Sequence, residues 1–162
     1  MKFLIATILL VITVLSVQAQ KTSSALSPIF SLYYNVKDAL VNSDPAMSSV
    51  KASELVNTVN AIDAKTLAAT EQNTFASLKI KLATDAKMLS QTKNIEKQRA
   101  FFSSLSTNIY TLAKTVKLSG EPIYYAYCPM KKAYWLSNEA AIKNPYYGSQ
   151  MLTCGKVNET LK

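Results

Sequence analysis

Four sulfur atoms near the end of the chain carry its most informative chemistry. Cys128 and Met130 are separated by one proline, Met151 and Cys154 by two residues, and all four fall within 27 positions. Thiolate and thioether are soft donors that select Cu(I) or Ag(I), whereas zinc recruits imidazole or further cysteines. The chain has no histidine and no third cysteine. A two-Cys, two-Met cluster of Cys128, Met130, Met151 and Cys154 therefore points to copper.

The same two cysteines have a second chemistry. In an exported protein a pair of cysteines forms a disulfide by default. A bond between Cys128 and Cys154 would close a 27-residue loop. The chain-entropy model gives such a loop roughly 3.5 kcal/mol of stabilisation, and Met130 and Met151 would then fill gaps in the core. A disulfide and a metal exclude each other at any instant, so a site that is metal-bound when reduced and empty when oxidised is a third reading. The residues alone leave all three open.

The compartment follows from the start of the chain. Lys2 precedes an uncharged run from Phe3 to Val17, and Val17-Gln18-Ala19 supplies the small residues a signal peptidase needs, which predicts cleavage before Gln20. Fifteen apolar residues fall short of the roughly 20 that span a bilayer as a helix. The expectation is a leader over residues 1–19, a periplasmic or secreted product, and no membrane span after cleavage.

Absent histidine also removes every imidazole base, triad and pH switch. No Gly-x-Ser-x-Gly elbow, Cys-x-x-Cys pair, phosphate-cradling glycine loop or evident carboxylate pair is present, so no enzyme is expected. Without the leader the charge is +7, from 17 basic and 10 acidic residues. The basic residues are scattered except for Lys131-Lys132, no nucleic-acid module surrounds them, and they read as solvated faces. Asn158-Glu159-Thr160 matches a glycosylation acceptor, a triplet common by chance and discounted here.

Something must hold the sulfurs in place, and the chain ahead of them is helical in pattern. Composition changes near Ser119, beyond which lie every glycine, both cysteines and the single tryptophan. Over 28–118 four amphipathic helices are expected. Ser27-Pro28 starts the first, with Ile29, Leu32, Tyr33, Val36 and Leu40 on one face. Asp44-Pro45 starts the second, with Met47, Val50, Leu55, Val59 and Ile62 inward, ending near Asp63. Thr70 caps the third, which carries Phe75, Leu78, Leu82, Ala86 and Leu89 and ends near Gln91. Asn94 caps the fourth, whose Phe102, Leu105, Ile109, Leu112 and Val116 keep a 3-4-3-4 spacing.

Four such helices with short polar connections predict a mainly α domain over 20–162, an up-down four-helix bundle. Its tail, 120–157, is rich in Tyr, Cys and Met, with an irregular or short-stranded conformation and one or two helical turns over Ser137 to Lys143. Asn144-Pro145 and Tyr147-Gly148 are turn signals between the two sulfur pairs, so the chain can double back and bring the pairs together. The tail's tyrosines are expected to pack it onto the bundle, and Trp135 to lie near enough for a cation–π contact with a metal.

Tyr127-Cys128-Pro129-Met130, Trp135-Leu136-Ser137, Asn144-Pro145-Tyr146-Tyr147-Gly148 and Met151-Leu152-Thr153-Cys154-Gly155 follow in that order. Together with Phe102 and Leu105-Ser106 they resemble the signature of an uncharacterised family of exported bacterial domains, found alone or fused to periplasmic adaptor subunits of copper and silver efflux systems. The resemblance spans 28 to 160. It implies an association with heavy-metal resistance, a periplasmic efflux adaptor or other envelope protein as partner, and Cys128, Met130, Met151 and Cys154 as ligands. Two departures bear on that set. Relatives carry a longer glycine-containing segment between Cys-Pro-Met and the tryptophan, and some carry histidines, whereas here only Lys131 to Tyr134 intervene.

The leading expectation is an exported, heavy-metal-associated protein that binds Cu(I) or Ag(I) as an accessory in metal handling or efflux. The alternative is a disulfide-stapled envelope interaction module that binds no metal.

Overall fold

A computed structural model describes residues 24–116 and 121–162. The predicted leader and the expected boundary at Ser119 lie outside the described residues. Four helices come first: α1 Ser27–Val41, α2 Pro45–Ala61, α3 Ala69–Ser90 and α4 Ile95–Ala113. Three strands follow, β1 Ile123–Cys128, β2 Ala133–Ser137 and β3 Lys156–Leu161, in an antiparallel sheet of order β2-β1-β3. Short 3-10 turns occupy Ala64–Thr66 and Gly148–Met151. The molecule is mainly helical, a helical bundle with a small sheet at its C-terminal end.

Helix starts follow local chemistry in two of four cases. The Asp44 carboxylate accepts from the Met47 amide at 2.9 Å, and the Asn94 side chain accepts from the Lys97 amide at 3.0 Å, each satisfying a donor that the first turn leaves open. The other two expectations are corrected. The first helix begins at Ser27 itself, with Leu26 at the cap position, and the third begins at Ala69 behind Ala68, one turn position ahead of Thr70.

Consecutive helices pack against each other and α1 also meets α4, so the apolar faces enclose one core. The inward residues expected of α3 and α4 are all buried. On α2 the expectation holds for Leu55 and Val59 and fails in the first turns, where Met47 and Val50 are 46% and 51% exposed and Ser48 and Ala52 face inward instead. Small side chains at 48 and 52 let α2 approach its neighbours closely, and their size hid that face from a reading weighted to large apolar residues.

The sheet is joined to the bundle through its edge strand. In the order β2-β1-β3 the free edge of β2 exposes the Leu136 amide and the Tyr134 carbonyl, groups that cannot stay unpaired when buried. The Tyr33 hydroxyl of α1 accepts from the Leu136 amide at 3.0 Å and shares a 2.7 Å hydrogen bond with Ser106 of α4. The Tyr146 hydroxyl donates to the Tyr134 carbonyl. Tyr33 also stacks on Phe102 with ring centroids 5.1 Å apart. Two tyrosines thus stand in for a missing strand.

Tyr110 of α4 stacks on Tyr125, and Tyr125 on Tyr134, at 3.8 and 4.7 Å. The expected packing of tail tyrosines onto the bundle holds for Tyr125, through Tyr110, and for buried Tyr146, through Phe102. Residues 138–143 form bends and coil instead of the expected helical turns, with Ile142 packing against the core as the chain crosses from the end of β2 to the Asn144 turn. Among the described residues no helix is long and apolar enough to cross a membrane.

Candidate metal centre

Cys128 ends β1 and Ala133 opposite it begins β2, so a tight turn through Pro129, Met130, Lys131 and Lys132 hangs from the sulfur. Lys132 adopts φ 54°, the left-handed value that closes the turn. Cys154 arrives from the other direction, at the junction between the Gly148–Met151 turn and β3. Its neighbour Gly155 has φ 147°, and a Cβ there would lie 2.8 Å from Trp135 Cη2 and 2.9 Å from the Tyr127 carbonyl oxygen. Only glycine lets the chain pass so close to β1 and β2 at this point.

The predicted doubling back occurs, and it brings the two cysteines together. One Asn144 side chain contacts both Cys128 Sγ and the Cys154 carbonyl, and the Cys154 thiol is near enough to Cys128 to feel its charge. Both cysteines are free thiols; Cys128 is wholly buried and Cys154 half-buried. Burial pushes the Cys154 thiol above its ordinary value, the charge and hydrogen bond of Cys128 push the same way, and the Met130 backbone works against them. A cation beside Cys154 would offset part of what disfavours its thiolate.

Asn144 organises the pair. Its side chain is fully buried, with Nδ2 donating to Cys128 Sγ at 3.2 Å and to the Cys154 carbonyl at 2.7 Å, while Oδ1 accepts from the Tyr146 amide at 2.8 Å. The Lys131 amide adds a second donor to Cys128 Sγ at 3.4 Å. Amide donors aimed at sulfur are the outer contacts that orient and tune a metal-bound thiolate.

The turn bearing Asn144 is anchored to the bundle. Arg99 of α4, 4% exposed, donates from Nε to the Pro145 carbonyl at 3.1 Å and from Nη2 to Ser43 Oγ at 3.1 Å, and Nη1 pairs with Glu96 at 2.8 Å. Gly148 reaches φ 56° against the α1–α2 corner, where a Cβ would meet Ser43 Oγ at 2.6 Å. Residues 144 to 148 therefore carry the position of the bundle to the thiols.

The methionines take less constrained places. Met130 sits at the tip of the β1–β2 turn with its side chain 63% exposed. Met151 is half-buried in the Gly148–Met151 turn, and its carbonyl accepts from the Cys154 amide at 3.0 Å. Trp135 is buried with its ring under Gly155 and edge-on to Tyr146. Among the described residues no group of three or more His, Cys, Asp or Glu is placed to hold a metal ion. Two neighbouring thiols suit a soft monovalent ion, while neither methionine sulfur is drawn onto them by any contact among the described residues.

A cleft of about 630 Å³ opens between the end of α1 and the 139–152 segment, lined by Asp38, Asn42, Glu139, Lys143 and Leu152. It holds neither cysteine. Its Lys143 and Glu139 pair with each other, and Asp38 pairs with buried Lys37 at 3.0 Å, so these charges already have partners.

Sequence reasoning found the two cysteines and the turn that joins them, and missed Asn144 as a contact of the sulfur. The residue had registered only as half of an Asn-Pro turn signal. Comparison with known proteins gives one result: the model of a family described as a protein of unknown function, DUF3347, matches residues 29–121, the helical part, and ends ahead of β1. No curated protein and no solved structure matches.

Proposed function

We propose that this chain, which belongs to the DUF3347 family of proteins of unknown function, binds Cu(I) or Ag(I) through Cys128 and Cys154 as an exported accessory in heavy-metal handling or efflux. The observation that carries the reading is the meeting of two free thiols whose buried member accepts from Asn144 Nδ2 and the Lys131 amide. Met130 and Met151, adjacent in sequence to the two cysteines, are the candidate thioether donors. The ion is cargo, so the bundle serves as scaffold and no catalytic step is assigned. Cleavage before Gln20 would release the protein to the periplasm or outside the cell, where an efflux adaptor is the expected partner.

A second reading draws on the same proximity. Complete burial of Cys128 suits a structural disulfide with Cys154, and the protein would then be a stapled envelope module that docks on a partner without metal. A thiol count on protein taken from the envelope, followed by reduction and competition against a Cu(I) chelator, separates the two. The metal reading expects about one Cu(I) per chain, lost in Cys128→Ser and in Cys154→Ser. A stable disulfide with no copper uptake after reduction contradicts it.

A further inference from the structure

The two thiols are unequal in access. Cys128 Sγ is sealed beneath the β1–β2 turn, with Asn144 and the Lys131 amide against it. Cys154 lies at the protein surface, half-buried, and is tied to Cys128 through Asn144, whose Nδ2 donates to Cys128 Sγ and to the Cys154 carbonyl. An external molecule can therefore meet only one of the pair, and whatever becomes attached to Cys154 is presented directly to Cys128.

We propose that Cys154 and Cys128 form an ordered thiol–disulfide exchange site that takes a disulfide-bearing small molecule or protein as its oxidant. In the first step the Cys154 thiolate attacks one sulfur of the incoming disulfide; a new S–S bond forms to Cys154, the incoming S–S bond breaks, and one thiolate leaves with its electron pair. In the second, the Cys128 thiolate attacks the Cys154 sulfur of that mixed disulfide, forming the Cys128–Cys154 bond and expelling the second thiolate. Each cysteine gives up one proton to solvent, the two cysteines are oxidised by two electrons, and the incoming disulfide is reduced to two thiols. Asn144, which touches Cys128 Sγ and the Cys154 carbonyl, is the positioning residue that keeps the resolving sulfur beside the mixed disulfide.

The site does not depend on metal binding, but its oxidation withdraws both thiolates from any ion held there. That supplies a release mechanism in an exported protein, whose surroundings are oxidising. The order is dictated by burial: exchange requires an approach in line with the attacked sulfur, and Cys128 offers no surface to an outside reagent.

The test uses the metal-free, reduced protein with a chelator present and an aromatic disulfide reagent whose released thiol is coloured. Wild type should release two coloured thiols per chain, retain none of the reagent and lose the mass of two hydrogen atoms. Cys128→Ser should release one and keep the other attached to Cys154. Cys154→Ser should release none until denaturant is added. Wild type quenched early and digested should show the adduct on Cys154, a measurement that holds even if either variant folds poorly. An early adduct on Cys128, or wild type that keeps two reagent groups without an internal disulfide, overturns the inference. Copper uptake without ordered exchange sinks this inference alone, and ordered exchange without copper uptake sinks only the metal reading.

Discussion

Asn144 Nδ2 stands 3.2 Å from Cys128 Sγ, both groups fully buried and 16 residues apart in the chain. A buried primary amide must place its hydrogens, and here they go to a sulfur and to the Cys154 carbonyl, so one side chain sets the distance between two strands of chemistry. The contact predicts a separable pair of effects. Asn144→Ala leaves the Cys154 carbonyl and the Tyr146 amide unpaired and should cost about 1–3 kcal/mol in denaturant unfolding. Asn144→Asp keeps the acceptor for Tyr146 and loses the donors, and should weaken Cu(I) binding by about 10–100-fold, as loss of an outer contact does. Unchanged affinity in the aspartate variant would remove Asn144 from the site.

Gly155→Ala places a methyl group against Trp135 and the Tyr127 carbonyl at a backbone angle that side chains rarely adopt. Strain of this kind costs about 1–3 kcal/mol. The variant should unfold at lower denaturant and, because Cys154 precedes it directly, form the Cys128–Cys154 bond more slowly than wild type under the same oxidant. Wild-type stability and wild-type oxidation rate together would contradict the geometry drawn here.

Met130→Leu and Met151→Leu conserve apolar volume and should each change stability by less than about 1.5 kcal/mol. If the thioethers are donors, each variant weakens Cu(I) binding measurably while keeping the one-to-one stoichiometry set by the cysteines. The exposed side chain of Met130 is free to turn onto an ion without repacking. Affinity equal to wild type in the double variant would confine the site to Cys128 and Cys154.

Tyr33→Phe keeps the stack on Phe102 and removes the acceptor for the Leu136 amide. The expected loss is about 1–3 kcal/mol, with faster hydrogen exchange at the Leu136 amide and helical content unchanged. Protection at that amide equal to wild type would show that the edge of β2 is satisfied in another way.

Alkali should unfold the protein through its tyrosines. Burial raises Tyr34 from 10.0 to about 12, and the hydrogen bond to Glu159, followed by burial, raises Tyr110 to about 12. Tyr33 and Tyr146 move the same way, chiefly from burial. A raised folded value means the fold favours the neutral phenol, so this stability is complete below pH 10 and is lost as pH climbs through 12. Tyrosinate absorbance and loss of helical circular dichroism should rise together in that window. Full tyrosine ionisation with the helices intact would contradict the burial.

Helix α4 was legible because each of Phe102, Leu105, Ile109, Leu112 and Val116 is apolar and falls at helical spacing, so periodicity and burial agree. The first turns of α2 were not, because Ser48 and Ala52 face the core by being small while Met47 and Val50 stay outside. The pairing of Cys128 with Cys154 could be anticipated from the turn signals between them. The roles of Asn144, Arg99 and Tyr33 could not: each donates to or accepts from a backbone group at least 10 residues away, a partner that only the completed fold supplies.

Copper X-ray absorption on the reduced, Cu(I)-loaded protein tests the central claim most directly. Wild type should show a first shell of sulfur alone, absent when Cys128 and Cys154 are both replaced by serine. A shell of nitrogen or oxygen, or copper retained at the same stoichiometry without the two cysteines, would contradict that claim.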